Sequence, residues 1–229
     1  LFEETYLSPK IFSPDVQKLL ITSNELINYA EAIKFMEDRV RKIICNKDRE
    51  LIWFLNHDHM YTTGTSSDEN EILTHSNVPI IKTNRGGKTT YHGPGQRIVY
   101  FLINLNNRKK DVRKFIDLIS ISAIKLLANL DIQATTYPDR VGIWVTRTKN
   151  SSLLKEKKIG AIGLRIKKWV TYHGLSFNIN PKLKFYKNIN ACGLKNYEST
   201  STEDLESNLS QENFDKMYLQ NFLKELSNV

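Results

Sequence analysis

The 229-residue chain predicts a single α+β domain of mixed sheets flanked by helices, spanning residues 1–229 with C-terminal helices from about residue 201. Three observations carry that expectation. Apolar residues recur at three- to four-residue steps in three separate stretches, the mark of amphipathic helices. Short runs rich in β-branched and aromatic residues, such as Arg97 to Leu105 (RIVYFLINL), read as buried strands. Helical and strand patterns interleave with no repeat, low-complexity tract or convincing linker between them.

The elements follow in order. Glu25 to Ile44 reads as a helix with Leu26, Ala30, Ile33, Val40 and Ile44 on one stripe. Glu50 to Leu55 (ELIWFL) and Val78 to Lys82 read as strands, and Arg97 to Leu105 as a central one. Asp111 is placed to cap a helix reaching Leu130, with Phe115, Ile119, Ile124 and Leu127 inward. Val141 to Thr146 is a strand, and the polar segment Arg147 to Lys157 a loop or hairpin tip. Ile159 to Ile166 and Val170 to Ile179 read as adjacent strands joined through Lys167-Lys168-Trp169, the second interrupted in its alternation at His173-Gly174. Ser201-Thr202-Glu203-Asp204 is a helix-start signal, and Ser210 to Leu226 an amphipathic helix carrying Phe214, Met217 and Leu226 inward.

Composition narrows the function classes. No apolar run approaches the roughly 20 residues that span a bilayer, and Leu1-Phe2-Glu3-Glu4-Thr5 lacks the basic-then-apolar order of a signal peptide. Two cysteines, Cys45 and Cys192, are too few for a disulfide scaffold and suit a reducing cytoplasm. A net charge of +8 implies attraction to something acidic. The basic residues are dispersed among no recognised nucleic-acid motif, so nucleic acid is not the expected partner.

Chemistry concentrates in Arg85-Gly86-Gly87-Lys88-Thr89-Thr90-Tyr91-His92-Gly93-Pro94-Gly95-Gln96, which holds four of the ten glycines. It matches neither the Walker A loop nor the dinucleotide fingerprint, so it gives nucleotide cofactors no support. Clustered glycine beside cationic and hydrogen-bonding side chains reads as a loop that lets backbone approach a ligand. His57-Asp58-His59 lacks the further ligands a metal site needs and reads as a strand end with hydrogen-bonded histidines. Cys45 closes an apolar helix end and is expected to be a buried, inert thiol. Cys192, beside Gly193, sits where an accessible nucleophile would. Its candidate partners are His92, His173 and Lys158, the last at the edge of the glycine-spaced strand Lys158-Ile159-Gly160-Ala161-Ile162-Gly163.

The glycine-rich run closely resembles the signature of the lipoyl(octanoyl) transferases. Lys158 to Arg165 is similar to that family's second block, Tyr172 to Asn178 to its third, and Asn190-Ala191-Cys192-Gly193 to its cysteine block, in the same order. The match covers about Ile52 to Thr202. Two departures stand out: Ala191 where proline is common before the cysteine, and a longer Arg147 to Lys157 segment.

The resemblance implies the catalytic module shared with biotin and lipoate protein ligases. It also implies transfer of an octanoyl group from acyl carrier protein, through a Cys192 thioester, to a lysine of apo lipoyl domains of 2-oxoacid dehydrogenase complexes and the glycine cleavage H protein. Lys158 is the implied catalytic partner of Cys192. The implied substrate-binding set is Arg85, Gly86, Gly87, Thr90, Tyr91, His92, Gly93, Ile159, Gly160, Ala161, Ile162, Gly163, His173, Gly174 and Leu175. No cofactor, metal or membrane is implied, and a cytoplasmic monomer is expected. His92 and His173 are candidate hydrogen-bond donors to the oxyanion or supports for Lys158, and backbone N–H groups near Gly163 or Gly193 are further candidate donors. An ATP-dependent ligase on the same fold is the nearest alternative; a non-enzymatic basic binding protein is one from another class.

Overall fold

The structure, a computed structural model, describes residues 20–74, 76–149, 151–193 and 197–227; the side chains of residues 151–154 and 192 lie outside that description. A seven-stranded mixed sheet in the order β1-β2-β6-β10-β9-β8-β7 forms its centre. The strands are β1 (Leu20–Leu26), β2 (Leu51–Asn56), β6 (Gln96–Leu102), β7 (Gln133–Tyr137), β8 (Arg140–Thr148), β9 (Ser151–Lys167) and β10 (Val170–Asn178). A second, three-stranded sheet in the order β4-β3-β5 comprises β3 (Met60–Thr63), β4 (Ile80–Lys82) and β5 (Thr90–His92).

The apolar runs are continuous because both faces of the large sheet are covered. Along β2 and β6, Ile52, Phe54, Val99 and Phe101 join one core with helices α2 (Val112–Ala128) and α3 (Gln211–Leu226). Trp53, Leu55, Ile98, Tyr100 and Leu102 join a second core beneath helix α1 (Tyr29–Ile44). Two-residue periodicity thus sends alternate side chains into two separate hydrophobic layers.

Arg97, at the edge of the α2/α3 layer, is fully buried and holds Asp215 of α3 through Nε–Oδ1 and Nη2–Oδ2 bonds of 2.9 and 2.6 Å. Its Nη1 donates to Ser23 O and Asn56 Oδ1, so one guanidinium ties β1, β2, β6 and α3 together. A two-pronged, charge-assisted pair of this kind adds geometric specificity as well as energy.

Several local expectations are corrected. The first helix begins at Tyr29, not Glu25, because the Asn28 side chain accepts from Ala30 N and Glu31 N while residues 20–26 pair in parallel with β2. Its buried stripe is therefore Ala32, Met36, Val40 and Ile43, and Leu26 and Ala30 are exposed. Cys45 is exposed, because the helix ends at Ile44 and leaves it on the solvent side as the C-cap. The Arg147 to Lys157 segment is mostly strand: β8 runs to Thr148 and β9 starts at Ser151. Ser201 to Asp204 forms a turn rather than a helix start, because the chain takes a left-handed residue at Glu206 (φ 57°) before Ser210 caps α3. Ile124 and Met217 are only partly buried.

Candidate active site

Lys158 sits on β9 with 6% of its surface exposed. Its Nζ donates to Val141 O at 2.9 Å and lies 5.3 Å from the centre of the Trp144 ring. The side chain gets there by crossing β8 at Gly142. A Cβ at that position would stand 2.4 Å from Lys158 Cε, and the backbone φ of +143° is one that side-chain-bearing residues rarely adopt. The Arg140 guanidinium also stacks on Trp144, at 4.8 Å, and on Tyr137 and Tyr197 at 3.8 and 4.5 Å. A cation over an aromatic face is held by the ring quadrupole, so these rings fix where the two cations sit.

The segment after Cys192 returns to the same place. Lys158 N donates to Glu198 O and Lys158 O accepts from Thr200 N, both at 2.8 Å. Lys158 and Ala191, the residue before Cys192, line one small cavity together with Thr90, Gly160, Ala161, Asn178, Tyr186 and Ser199. The backbone of Cys192 lies in a 3-10 turn, Ala191–Gly193.

Glu71 clamps that turn to the glycine-rich loop. Its backbone oxygen accepts from Asn190 N at 2.7 Å. Its buried carboxylate accepts from Lys88 Nζ at 3.0 Å and Thr89 N at 2.8 Å. Burial raises the Glu71 carboxyl, but those two donors outweigh it and the net shift is downward. The Lys88 stem lies against Gly193, where a Cβ would meet Lys88 Cδ at 2.6 Å and φ is +71°. Glu71 carries no motif of its own, so only the folded chain singles it out.

Beside this cluster lies a cavity of about 300 Å³ between the glycine-rich loop and the β8–β9–β10 surface. Of the expected binding residues, Arg85, Gly87, Thr90, His92, Ala161, Ile162, Gly163, His173, Gly174 and Leu175 line it. Thr90 and Ala161 also line the small Lys158 cavity, which places the two side by side. Gly86, Tyr91, Gly93, Ile159 and Gly160 are not among its lining, although Gly160 lines the small Lys158 cavity. Gly86 N donates to Leu164 O and anchors the loop on β9. Tyr91 is enclosed by Phe185 and His59, whose Nδ1 is 2.7 Å from the Tyr91 hydroxyl, and Gly93 packs against that same hydroxyl. Ile159 belongs to the α2/α3 core, because β9 alternation turns it to that face. Lys88 and Ser176 of the family blocks also line it, as do residues outside those blocks, among them Tyr29, Ile98, Tyr100, Asp139, Arg140 and Val141.

Three buried histidines, His57, His92 and His173, are neutral. Burial, with the Arg85 charge next, holds His92 and His173 down to about 3. Burial brings His57 to about 4. His92 Nδ1 lies 2.7 Å from Gln96 Oε1, and the Gln96 amide nitrogen is fixed by Tyr91 O, Asn178 Oδ1 and the Tyr186 hydroxyl. His92 therefore donates through Nδ1, and its Nε2 carries a lone pair. That corrects the expectation of His92 as an oxyanion donor: it is set to accept. Gly193 N is likewise engaged, by Asn190 O at 2.8 Å.

His173 differs from both. Strand alternation would turn it toward the α2/α3 layer, but φ of 61° puts its ring 5.7 Å from Tyr100, on the α1 side, where its buried Nε2 has no hydrogen-bond partner among the described residues. Such strain in a non-glycine residue persists only where the surroundings over-determine it.

His57 bridges Ile27 O and the Tyr100 hydroxyl, at 2.7 and 2.8 Å. With His59 on Tyr91, the His57-Asp58-His59 run is structural. Among the described residues no cluster of His, Cys, Asp and Glu could hold a metal ion, and no helix is long and apolar enough to cross a membrane.

Residues 28–227 match the lipoyl protein ligase A/B catalytic domain. The chain is 42% identical to an octanoyltransferase of Bartonella tribocorum over 78% of its own length and 75% of the relative's. It is 41% identical to one of Ehrlichia chaffeensis over 88% and 92%. Among solved structures it superposes on a lipoate-protein ligase A bound with ATP, with a TM-score of 0.63 at 15% identity over 91% and 84% of the two chains. The bipartite lipoate protein ligase of Thermoplasma acidophilum gives 0.64 at 13% identity over 91% and 82%; both likenesses concern the fold. With the family model matching residues 28–227 and these relatives covered over three quarters or more of their length, the chain belongs to the octanoyltransferases of the lipoyl protein ligase A/B catalytic-domain family.

Proposed function

We propose that this octanoyltransferase works through a Cys192 acyl-enzyme, with Lys158 as its proton carrier. The thiolate of Cys192 attacks the carbonyl of an octanoyl thioester on acyl carrier protein. A new C–S bond forms, the carrier sulfur leaves, and it takes up the proton that the thiol gave to Lys158. The ε-amine of a lysine on an apo lipoyl domain then attacks the same carbon. The amide C–N bond forms, the C–S bond to Cys192 breaks, and the proton the amine loses passes by way of Lys158 to the Cys192 sulfur, which restores the thiol. Acceptors of this kind include lipoyl domains of 2-oxoacid dehydrogenase complexes and the glycine cleavage H protein. The enzyme acts as a single catalytic domain, a monomer, in the cytoplasm.

The observation that carries this reading is the convergence on Lys158. A buried lysine, aimed by Gly142 and Trp144, shares a cavity with the residue before Cys192 and opens beside a largely apolar pocket. An octanoyl chain gains about 0.8 kcal/mol for each methylene buried there. Ile98, Val141, Ile162 and Leu175 supply apolar wall, while Thr90 and Ala161 mark the end nearest Lys158.

The test is the intact mass after incubation with octanoyl-carrier protein, without ATP, and then with an apo lipoyl domain. The expected result is an octanoyl adduct that moves to the acceptor and is missing in Cys192→Ser. An undiminished adduct in that variant would sink the nucleophile assignment, and strict ATP dependence would favour a ligase.

A further inference from the structure

The chain's basic residues are dispersed, but its net charge is not. Residues 108–114 and 165–169 hold eight cations (Arg108, Lys109, Lys110, Arg113, Lys114, Arg165, Lys167 and Lys168) against the single carboxylate of Asp111. These twelve residues carry seven of the chain's eight net positive charges.

The fold makes them one surface. Leu105 N donates to Trp169 O at 2.8 Å, Asn106 Nδ2 donates to Lys168 O at 3.0 Å, and Lys110 Nζ lies 5.9 Å from the Trp169 ring centre. Among the described residues only Arg108 of the eight has a carboxylate partner, Glu50; the other seven are exposed. Trp169, 39% exposed, stands among them.

The tip of the β9–β10 hairpin is also strained. Lys168 and Trp169 both take left-handed φ values, 47° and 66°, in a turn that glycine or asparagine would occupy at lower cost. A lysine and a tryptophan held there against backbone preference point to a role outside folding.

We infer that this tip and residues 105–114, which lead into the first turn of α2, are the docking surface for the acidic donor carrier, a conclusion that rests on the octanoyl-transfer reading above. Position selects the donor over the acceptor. The β9–β10 turn and the β7–β8 turn lie at the same end of the sheet, because β8 and β9 are antiparallel. Extending the Ile143–Gly160 pairing sets Val141 opposite Ile162, and both line the cavity. Lys167 stands five strand residues beyond Ile162, or about 17 Å. A partner bound at that offset must deliver its thioester on a long flexible arm, as an acyl carrier does. An acceptor lysine has a short reach, so its domain must sit over the cavity mouth itself. Complementary charge speeds such an encounter and orients it, and the exposed tryptophan supplies the kind of aromatic anchor that interfaces favour.

The experiment compares two donors. Reversing four charges (Lys109→Glu, Lys110→Glu, Lys167→Glu and Lys168→Glu) is expected to raise KM for octanoyl-carrier protein at least tenfold. It should also flatten that donor's salt dependence and leave octanoyl-pantetheine kinetics unchanged. Wild-type transfer from octanoyl-pantetheine tests the underlying reading separately. A second variant, Lys168→Asn with Trp169→Gly, relaxes the turn and should raise Tm while also raising KM for the carrier; a purely structural tip would not show both. An unchanged carrier KM, equal effects on both donors, or a defect confined to the lipoyl-domain acceptor would overturn the inference. Binding to RNA or to phosphatidylserine vesicles that is lost in the variant while carrier KM stays unchanged would overturn it as well.

Discussion

Lys158 Nζ reaches the Val141 carbonyl, at 2.9 Å, only by passing over Gly142. Gly142→Ala would place a methyl group 2.4 Å from Lys158 Cε at a φ of +143°. The lysine must then swing off Val141. Expected is a fall in kcat of at least tenfold in both half-reactions, with a stability cost of about 1–3 kcal/mol. Single-turnover acylation and a urea melt check the two separately.

Trp144 is fully buried, and its ring carries both Lys158 and Arg140. Trp144→Leu removes the π face, and kcat should drop several-fold with little change in KM. Trp144→Phe restores a face without the indole N–H, which now donates to Arg140 O, and should recover most of the rate. Equal losses in the two variants would reduce Trp144 to a packing residue.

Arg97 and Asp215 form a pair with side-chain exposures of 0% and 2%. Arg97→Leu leaves the Asp215 carboxylate buried without its counter-ion, a change of the kind that costs about 3–5 kcal/mol. Denaturant midpoints should fall accordingly. Removing both charges (Arg97→Leu with Asp215→Leu) should recover a large part of the loss.

Acid stability follows from the buried histidines. His57, His92 and His173 titrate at about 4, 3 and 3 when folded, against 6.5 when unfolded. The unfolded chain therefore binds more protons below pH 6.5, and stability falls as pH drops from about 6.5 toward 4. The slope is about 1.4 kcal/mol per histidine for each pH unit crossed. Asp215 works against this, because burial raises its carboxyl and the folded state then gains protons in acid. Urea midpoints between pH 7 and 4.5 should shift less in His57→Gln than in the wild type.

Much of the fold is legible because strands covered on both faces must read as unbroken apolar runs. ELIWFL and RIVYFLINL do so, and become β2 and β6. The helix starts are less legible where competing strand pairing consumes the residues before the cap, as at Glu25 to Leu26 beside β2. The cysteine expected to be buried, Cys45, is exposed because helical phase rather than local apolarity decides which residue faces the core. The glycine-rich loop and the interruption at His173-Gly174 both announce themselves in sequence, since glycine clusters and broken alternation are local signals. Glu71, Tyr29 and Trp144 give no such signal, because their roles come from contacts across elements far apart in the chain.

By itself, the sequence determined the element types, the family blocks, and the presence of Lys158, Cys192 and a glycine-lined loop. These are written in local periodicity and short spacings. Only the tertiary structure decided that Lys158 crosses Gly142 toward Val141, that His92 accepts rather than donates, and that the cations of residues 108–114 and 165–169 share one surface. Burial, hydrogen-bond direction and charge proximity depend on which residues meet in space, and sequence order alone does not state that.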